Sequence, residues 1–124
     1  MATAGLFKNA VKDSVALNKN GAGVEQNDGF TTIYTAPAGL TSYIIECDIA
    51  CIETSGVQVS VRLKTSTGTK VHVVKNAPVP VGSAIQIING QKIVLMPGDS
   101  LEVKPVTPNA TVDVIVSLVE DVNM

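Results

Sequence analysis

The stretch Ile93–Pro105, IVLMPGDSLEVKP, joins two apolar, strand-like runs through a Pro-Gly-Asp-Ser corner. Met96-Pro97-Gly98-Asp99 fits a type II turn: proline at the second position presets φ, and glycine at the third supplies the positive φ the turn needs. The Asp99 carboxylate is placed to accept nearby backbone amides. Leu95 and Leu101, on either side, supply core anchors. These roles account for every residue in the corner, so Pro97, Gly98 and Asp99 read as a structural turn. A catalytic reading would make Asp99 an acid or base, or Ser100 a nucleophile, and each needs a partner within hydrogen-bond reach. The single histidine, His72 in KVHVVK, alternates outward from Val71 and Val73 like a surface strand residue.

Working outward from the corner, the pattern stays β. VQVSVRLKT (Val57–Thr65) alternates cleanly, with Val57, Val59, Val61 and Leu63 inward and Gln58, Ser60, Arg62 and Lys64 outward. TTIYTA (Thr31–Ala36) is β-branched and aromatic, and Pro37-Ala38-Gly39 closes it. In SYIIECDIACIET (Ser42–Thr54), period two predicts a core face of Tyr43, Ile45, Cys47, Ile49 and Cys51, opposite Ile44, Glu46, Asp48 and Ala50. Pro78 and Pro80 argue for an edge or crossover, since proline cannot donate to a ladder. Asn89-Gly90, between SAIQII and QKIVLM, predicts a hairpin turn. TVDVIVSLVED closes the chain. About eight short strands at roughly 8–12-residue spacing predict an all-β, antiparallel β-sandwich or jelly roll, with an open barrel as the second choice.

The first residues differ. Leu6, Phe7, Ala10, Val11 and Val15 fall near helical spacing, which predicts an extended or partly helical arm. LNKNGAGVEQNDG (Leu17–Gly29) has the composition of a loop. The expected division is an arm and loop over residues 1–29 and a β-sandwich over residues 30–124. The arm either packs on its own domain or reaches a neighbouring subunit; Leu6, Phe7, Val11, Val15 and Leu17 are its candidate contacts.

The totals narrow the function. The net charge of −2 offers no case for nucleic acid, which needs clustered Lys and Arg. No apolar run approaches the ~18 residues of a membrane span. The N-terminus lacks the ~7–15-residue apolar core of a secretory signal, so synthesis in the cytosol is expected. The chain is 45% hydrophobic but only 16% charged, which points to a Val/Ile-rich core and to apolar surface covered by other subunits. Cys47 and Cys51, four apart on a strand, would stand ~13 Å apart, too far for a disulfide. Buried, reduced thiols are expected, and with one histidine a metal pair is disfavoured. Glu46 and Asp48 share a face and read as solvated, with a weak cation site as the functional alternative. No phosphate loop, paired metal histidines or basic-aromatic interleaving is found. The chain shares a Pro-Gly-Asp turn with jelly-roll enzymes and cupins but lacks their His-x-His metal cluster. No enzyme activity, cofactor, metal or small-molecule substrate is expected.

The order of features resembles a set of small virion structural proteins of tailed bacteriophages. The resemblance rests on TIYTAPAGLTSYIIECDIAC, VKNAPVPVGSAIQI, KIVLMPGDSLEVKP and TVDVIVSLVED, spanning about residues 31–120. Its motifs are turns and core positions, so it is specific to an architecture. It implies a virion protein, most naturally a capsid decoration (cement) protein. It also implies a homo-oligomer such as a trimer, in contact with the major capsid protein or other virion proteins. Neck, tail or fibre components share the same features. The alternative from another class is a small carbohydrate- or cation-binding module using Glu46, Asp48 or the loop near Asp28.

Overall fold

The computed structural model describes residues 6–17 and 29–121. Eight strands account for most of them: β1 (Leu6–Val15), β2 (Thr31–Thr35), β3 (Thr41–Cys51), β4 (Val57–Lys64), β5 (Lys70–Val79), β6 (Ala84–Leu95), β7 (Ser100–Pro105) and β8 (Val112–Asp121). They form two four-stranded antiparallel sheets, ordered β1-β8-β3-β6 and β2-β7-β4-β5. The pairs β1·β8, β2·β7, β3·β6 and β4·β5 are nested, as when one long hairpin is rolled onto itself. That nesting is the jelly-roll topology, and it confirms the expected β-sandwich.

Between the sheets lies an aliphatic core. Ile44, Ile49, Ile88, Leu95 and Leu118 come from the first sheet, and Val59, Val61, Val79, Leu101 and Val103 from the second; all are fully buried. Each such side chain contributes roughly 1.5–3 kcal/mol of hydrophobic transfer. Cys47 and Cys51 are buried free thiols, as expected. β5 forms an edge of the second sheet, which is where Pro78 is tolerated.

One local expectation is narrowed and two are corrected. Of the extended and partly helical alternatives for the arm, the extended one holds: residues 6–15 form a strand paired with β8 from Leu6↔Glu120 to Lys12↔Val114. A spacing of four is common to both periods: Phe7 and Val11 share a strand face as readily as a helix face. A bulge between Lys12 and Val15, with Ser14 at φ 50°, turns Val15 into the core.

Asn89-Gly90 does not make a hairpin, because β6 runs through it without a break. β3 is long enough to pair with both halves of β6. The step from Glu46↔Asn89 to Ile44↔Ile93 leaves extra residues on β6, so the pair forms a bulge, where glycine is at ease. The strand count stays at eight because β1 replaces the strand lost by this fusion.

In β3 the predicted face holds only beyond Glu46. A bulge at Ile45, seen against both neighbours, reverses the alternation. Ser42 and Ile44 point inward with Cys47 and Ile49, whereas Ile45 is exposed.

Candidate assembly interface

The Pro-Gly-Asp corner is built as its sequence requires. Gly98 has φ +88°, and the Asp99 N–H donates to the Met96 carbonyl at 2.9 Å. The carboxylate of Asp99 accepts the Met96 N–H on Oδ2 and the Ser66 N–H on Oδ1, both at 3.0 Å. Asp99 thus pins the β6–β7 corner to the β4–β5 turn. Leu95 and Leu101 anchor it in the core. Both carboxylate oxygens are engaged by backbone, an arrangement suited to holding a turn.

Two buried polar clusters were not anticipated. On the outer face of the second sheet, Arg62 Nε donates to Glu102 Oε1 at 2.7 Å, and both residues are nearly inaccessible. The Phe30 ring lies 3.8 Å from the guanidinium carbon and covers the pair. His72 is exposed and meets the edge of the same ring at 5.9 Å. The outward reading of Arg62 is right about the face. Burial arises because the residues leading into β2 fold over it. The second cluster links the sheets: Tyr34 of β2 hydrogen-bonds Ser42 and Glu120, and Lys8 of β1 lies 3.5 Å from Glu120. Burial, aided by the Glu120 hydrogen bond, pushes the Tyr34 phenol up to about 12. Burial likewise pushes the Cys47 thiol up to about 12, which makes it a poor nucleophile. Among the described residues no group of His, Cys, Asp and Glu gathers as a metal site.

The outer face of the β1-β8-β3-β6 sheet is different. Register places Phe7, Asn9 and Val11 of β1 beside Val119, Ser117 and Ile115 of β8, and sets Val119 and Val94 against Tyr43. Phe7, Tyr43, Ile45, Val94 and Val119 line an open depression of about 490 Å³. Phe7 is 81% exposed, Val11 65%, Ile115 48% and Val94 45%. Exposed apolar residues grouped on one face mark a surface meant to be covered.

The candidate arm contacts are distributed unevenly. Phe7 and Val11 are on this surface, Val15 is in the core, Leu17 is half-buried, and the side chain of Leu6 lies outside the described residues. The loop near Asp28 also lies outside them. Tyr43 and Ile45 escaped the sequence reading because they were assigned to the core face; Val94 and Val119 were not singled out. The signal was there in Tyr43-Ile44-Ile45, a run that cannot be buried on one face only.

Farther along the same face stand Glu46, Asp48 and Asp113. Asp48, Gln86, Asp113 and Ile115 border a second depression of about 500 Å³. Burial, then a hydrogen bond and the charge of Glu46, push the Asp48 carboxyl up to about 6. Asp113 accepts the Ser14 N–H at 2.9 Å, and Glu46 accepts from Gln86 at 3.3 Å. Asp113 and Glu46 thus serve local hydrogen bonds, whereas Asp48 Oδ1 is buried without a hydrogen-bond partner among the described residues.

No protein-family model matches the chain, and no curated protein matches it. Several solved structures share its fold. A pilus protein of Bacillus endospore appendages, described as disulfide-linked, is 13% identical with a TM-score of 0.54, covering 100% of this chain and 92% of the other. A protein of the acid-stable capsid of Helicobacter pylori bacteriophage KHP30 is 9% identical with a TM-score of 0.50, covering 98% and 90%. A protein of infectious bursal disease virus, strain Gx, is 13% identical with a TM-score of 0.50; the match covers 98% of this chain but 34% of that one. The chain therefore has a β-sandwich fold that viral and pilus structural proteins also use.

Proposed function

We propose that this chain is a structural protein of a bacteriophage particle, serving as a capsid decoration protein that stabilises the head through contacts between small homo-oligomers and the shell. The observation that carries the reading is the apolar outer face of the β1-β8-β3-β6 sheet, with Phe7, Val11, Val94 and Ile115 left in solvent. An isolated jelly roll gains nothing from exposing them, whereas a shell component covers them at a symmetric contact. The fold shared with a phage capsid protein and a pilus protein supports the reading, and so does the resemblance of residues 31–120 to tailed-phage virion proteins. Phe7 and Val11 supply the arm's part of the contact. Covering apolar area at ~25 cal/mol per Å² would stabilise the shell, less the cost of immobilising the partners.

Immunogold labelling of intact particles tests this reading. Label over the head is expected. Label confined to the neck or tail would place the same sandwich in the tail machinery, and no label would refute a surface role in the virion.

A further inference from the structure

We propose that the surface covering the outer face of the β1-β8-β3-β6 sheet is a basic patch of the shell, which sets a Lys or Arg side chain against Asp48 and Glu46 beside its apolar contacts. The inference rests on the structural-protein reading above and names the chemistry of its partner.

Asp48 is the residue that calls for such a partner. Its Oδ1 is inaccessible and accepts no hydrogen bond. Glu46 stands on the same face of β3, two residues and ~6.6 Å along the strand. Across β8, Ile115 lies opposite Asp48 and Asp113 lies opposite Ala50. Across β6, Gln86 lies opposite Asp48 and donates to Glu46 at 3.3 Å. Ala50, Ala84, Gln86, Asp113 and Ile115 complete the depression around Asp48, so among the described residues no cation lines it. β1 brings Lys12 and Asp13 to a neighbouring depression, which shares Asp113 and Ile115 with the first. With both included, this end of the face carries Asp13, Glu46, Asp48 and Asp113 against Lys12 and is acidic among the described residues. Burial, then the hydrogen bond and charge of Glu46, hold the Asp48 carboxyl at about 6, as expected where a carboxylate has no counter-ion.

The chemistry of the cover follows. Apolar groups alone would strand these carboxylates away from water, which is strongly unfavourable. An ammonium or guanidinium group supplies the donors that Asp48 Oδ1 lacks and offsets the repulsion between Asp48 and Glu46. A second copy presenting the same face would set carboxylate against carboxylate. The Arg62 of another copy is not on offer either, since Glu102 and Phe30 enclose it. Ile45, three residues before Asp48 on β3 and ~10 Å away, belongs to the apolar depression with Phe7, Tyr43, Val94 and Val119. The partner surface therefore carries an apolar group and a basic group at about that spacing. The stem of a Lys or Arg can lie along exposed Ile115 while its head reaches Asp48.

The test measures binding of the full-length chain to particles lacking it, at about pH 5 and about pH 8. A cation set against Asp48 lowers its carboxyl from about 6, so docking releases a proton and tightens as pH rises through that value. Each unit of lowering is tenfold, so wild type should bind roughly 10-fold more weakly at the lower pH, and more weakly again toward about 500 mM salt. Asp48→Asn should lose roughly 10-fold or more at the higher pH and most of the pH response, while melting no lower than wild type. That combination separates a docking role from a structural one. Glu46→Gln, expected to weaken binding at the higher pH, replaces Asp48→Asn if the latter does not fold. Wild-type binding that is unchanged or stronger at the lower pH, or Asp48→Asn that binds as wild type does, would overturn the basic partner and leave the structural reading standing. The same pH response in self-association without particles would overturn the shell as its source. A wild type that binds at no pH or salt would remove the proposal and the reading together.

Discussion

Asp99 Oδ1 accepts the backbone N–H of Ser66 at 3.0 Å, so a carboxylate at the start of β7 holds the turn between β4 and β5. Its other oxygen closes its own corner through Met96. Replacing Asp99 with alanine leaves both amides without their charged acceptor, and a loss of about 2–4 kcal/mol is expected in urea unfolding. Gly98 is constrained from a second direction. At φ +88° an added Cβ would stand 2.9 Å from the Ser66 Cβ, so Gly98→Ala should cost roughly 1–3 kcal/mol. Ser100→Ala, by contrast, should leave the corner folded, as no bond to the corner's backbone runs through its hydroxyl.

The Arg62–Glu102 pair is sealed beneath Phe30, and its parts are not independent. Arg62→Met alone strands a buried carboxylate and should destabilise by about 3–5 kcal/mol, whereas Arg62→Met with Glu102→Leu should recover most of that loss. A double-mutant cycle in chemical denaturation, with Glu102→Leu as the second single variant, checks this; a double-variant loss equal to the sum of the two single losses would show that the pair is not coupled.

Asp48 gives a pH signature. Its carboxyl is raised from 3.8 to about 6, so the folded protein keeps a proton that the unfolded chain has released within that window. This group's contribution therefore falls as pH rises from 3.8 to about 6 and is lowest above it. Asp48→Asn should be more stable than wild type at neutral pH, by roughly 1 kcal/mol after solvent screening, with the gain gone at low pH. Paired unfolding curves at the two pH values decide it.

Cys47 and Cys51 should resist thiol reagents in the native state, since both are buried and the Cys47 thiol is pushed up to about 12. Rapid labelling of Cys47 without denaturant would contradict the core placement.

What the sequence made legible follows from how local the controlling physics is. The Pro97-Gly98-Asp99 corner and the inward face of β4, Val57, Val59 and Val61, depend on residues close in the chain, and both appear as read, whereas Ser60 and Arg62 on its outward face are buried. Bulges at Ile45 and beyond Asn89 depend on the partner strand, so one strand's period cannot reveal them. The β1 strand was ambiguous because Phe7 and Val11 satisfy two periods. Burial of Arg62 depends on Phe30, which comes from a distant part of the chain. The proposed assembly surface was half legible: Phe7 and Val11 stood out in a polar segment, while Tyr43 and Ile45 passed for core and Val94 and Val119 were not singled out.

Phe7 is 81% exposed and contributes little to its own domain, so its replacement separates docking from folding. Purified wild type and Phe7→Asp are added to particles lacking this protein, and bound copies per particle are counted by quantitative mass spectrometry. Unchanged thermal stability is expected for Phe7→Asp, with a loss of binding on the order of 10-fold or more, as for truncation of an aromatic anchor. Full occupancy by Phe7→Asp would contradict the claim that this sheet face is the assembly surface.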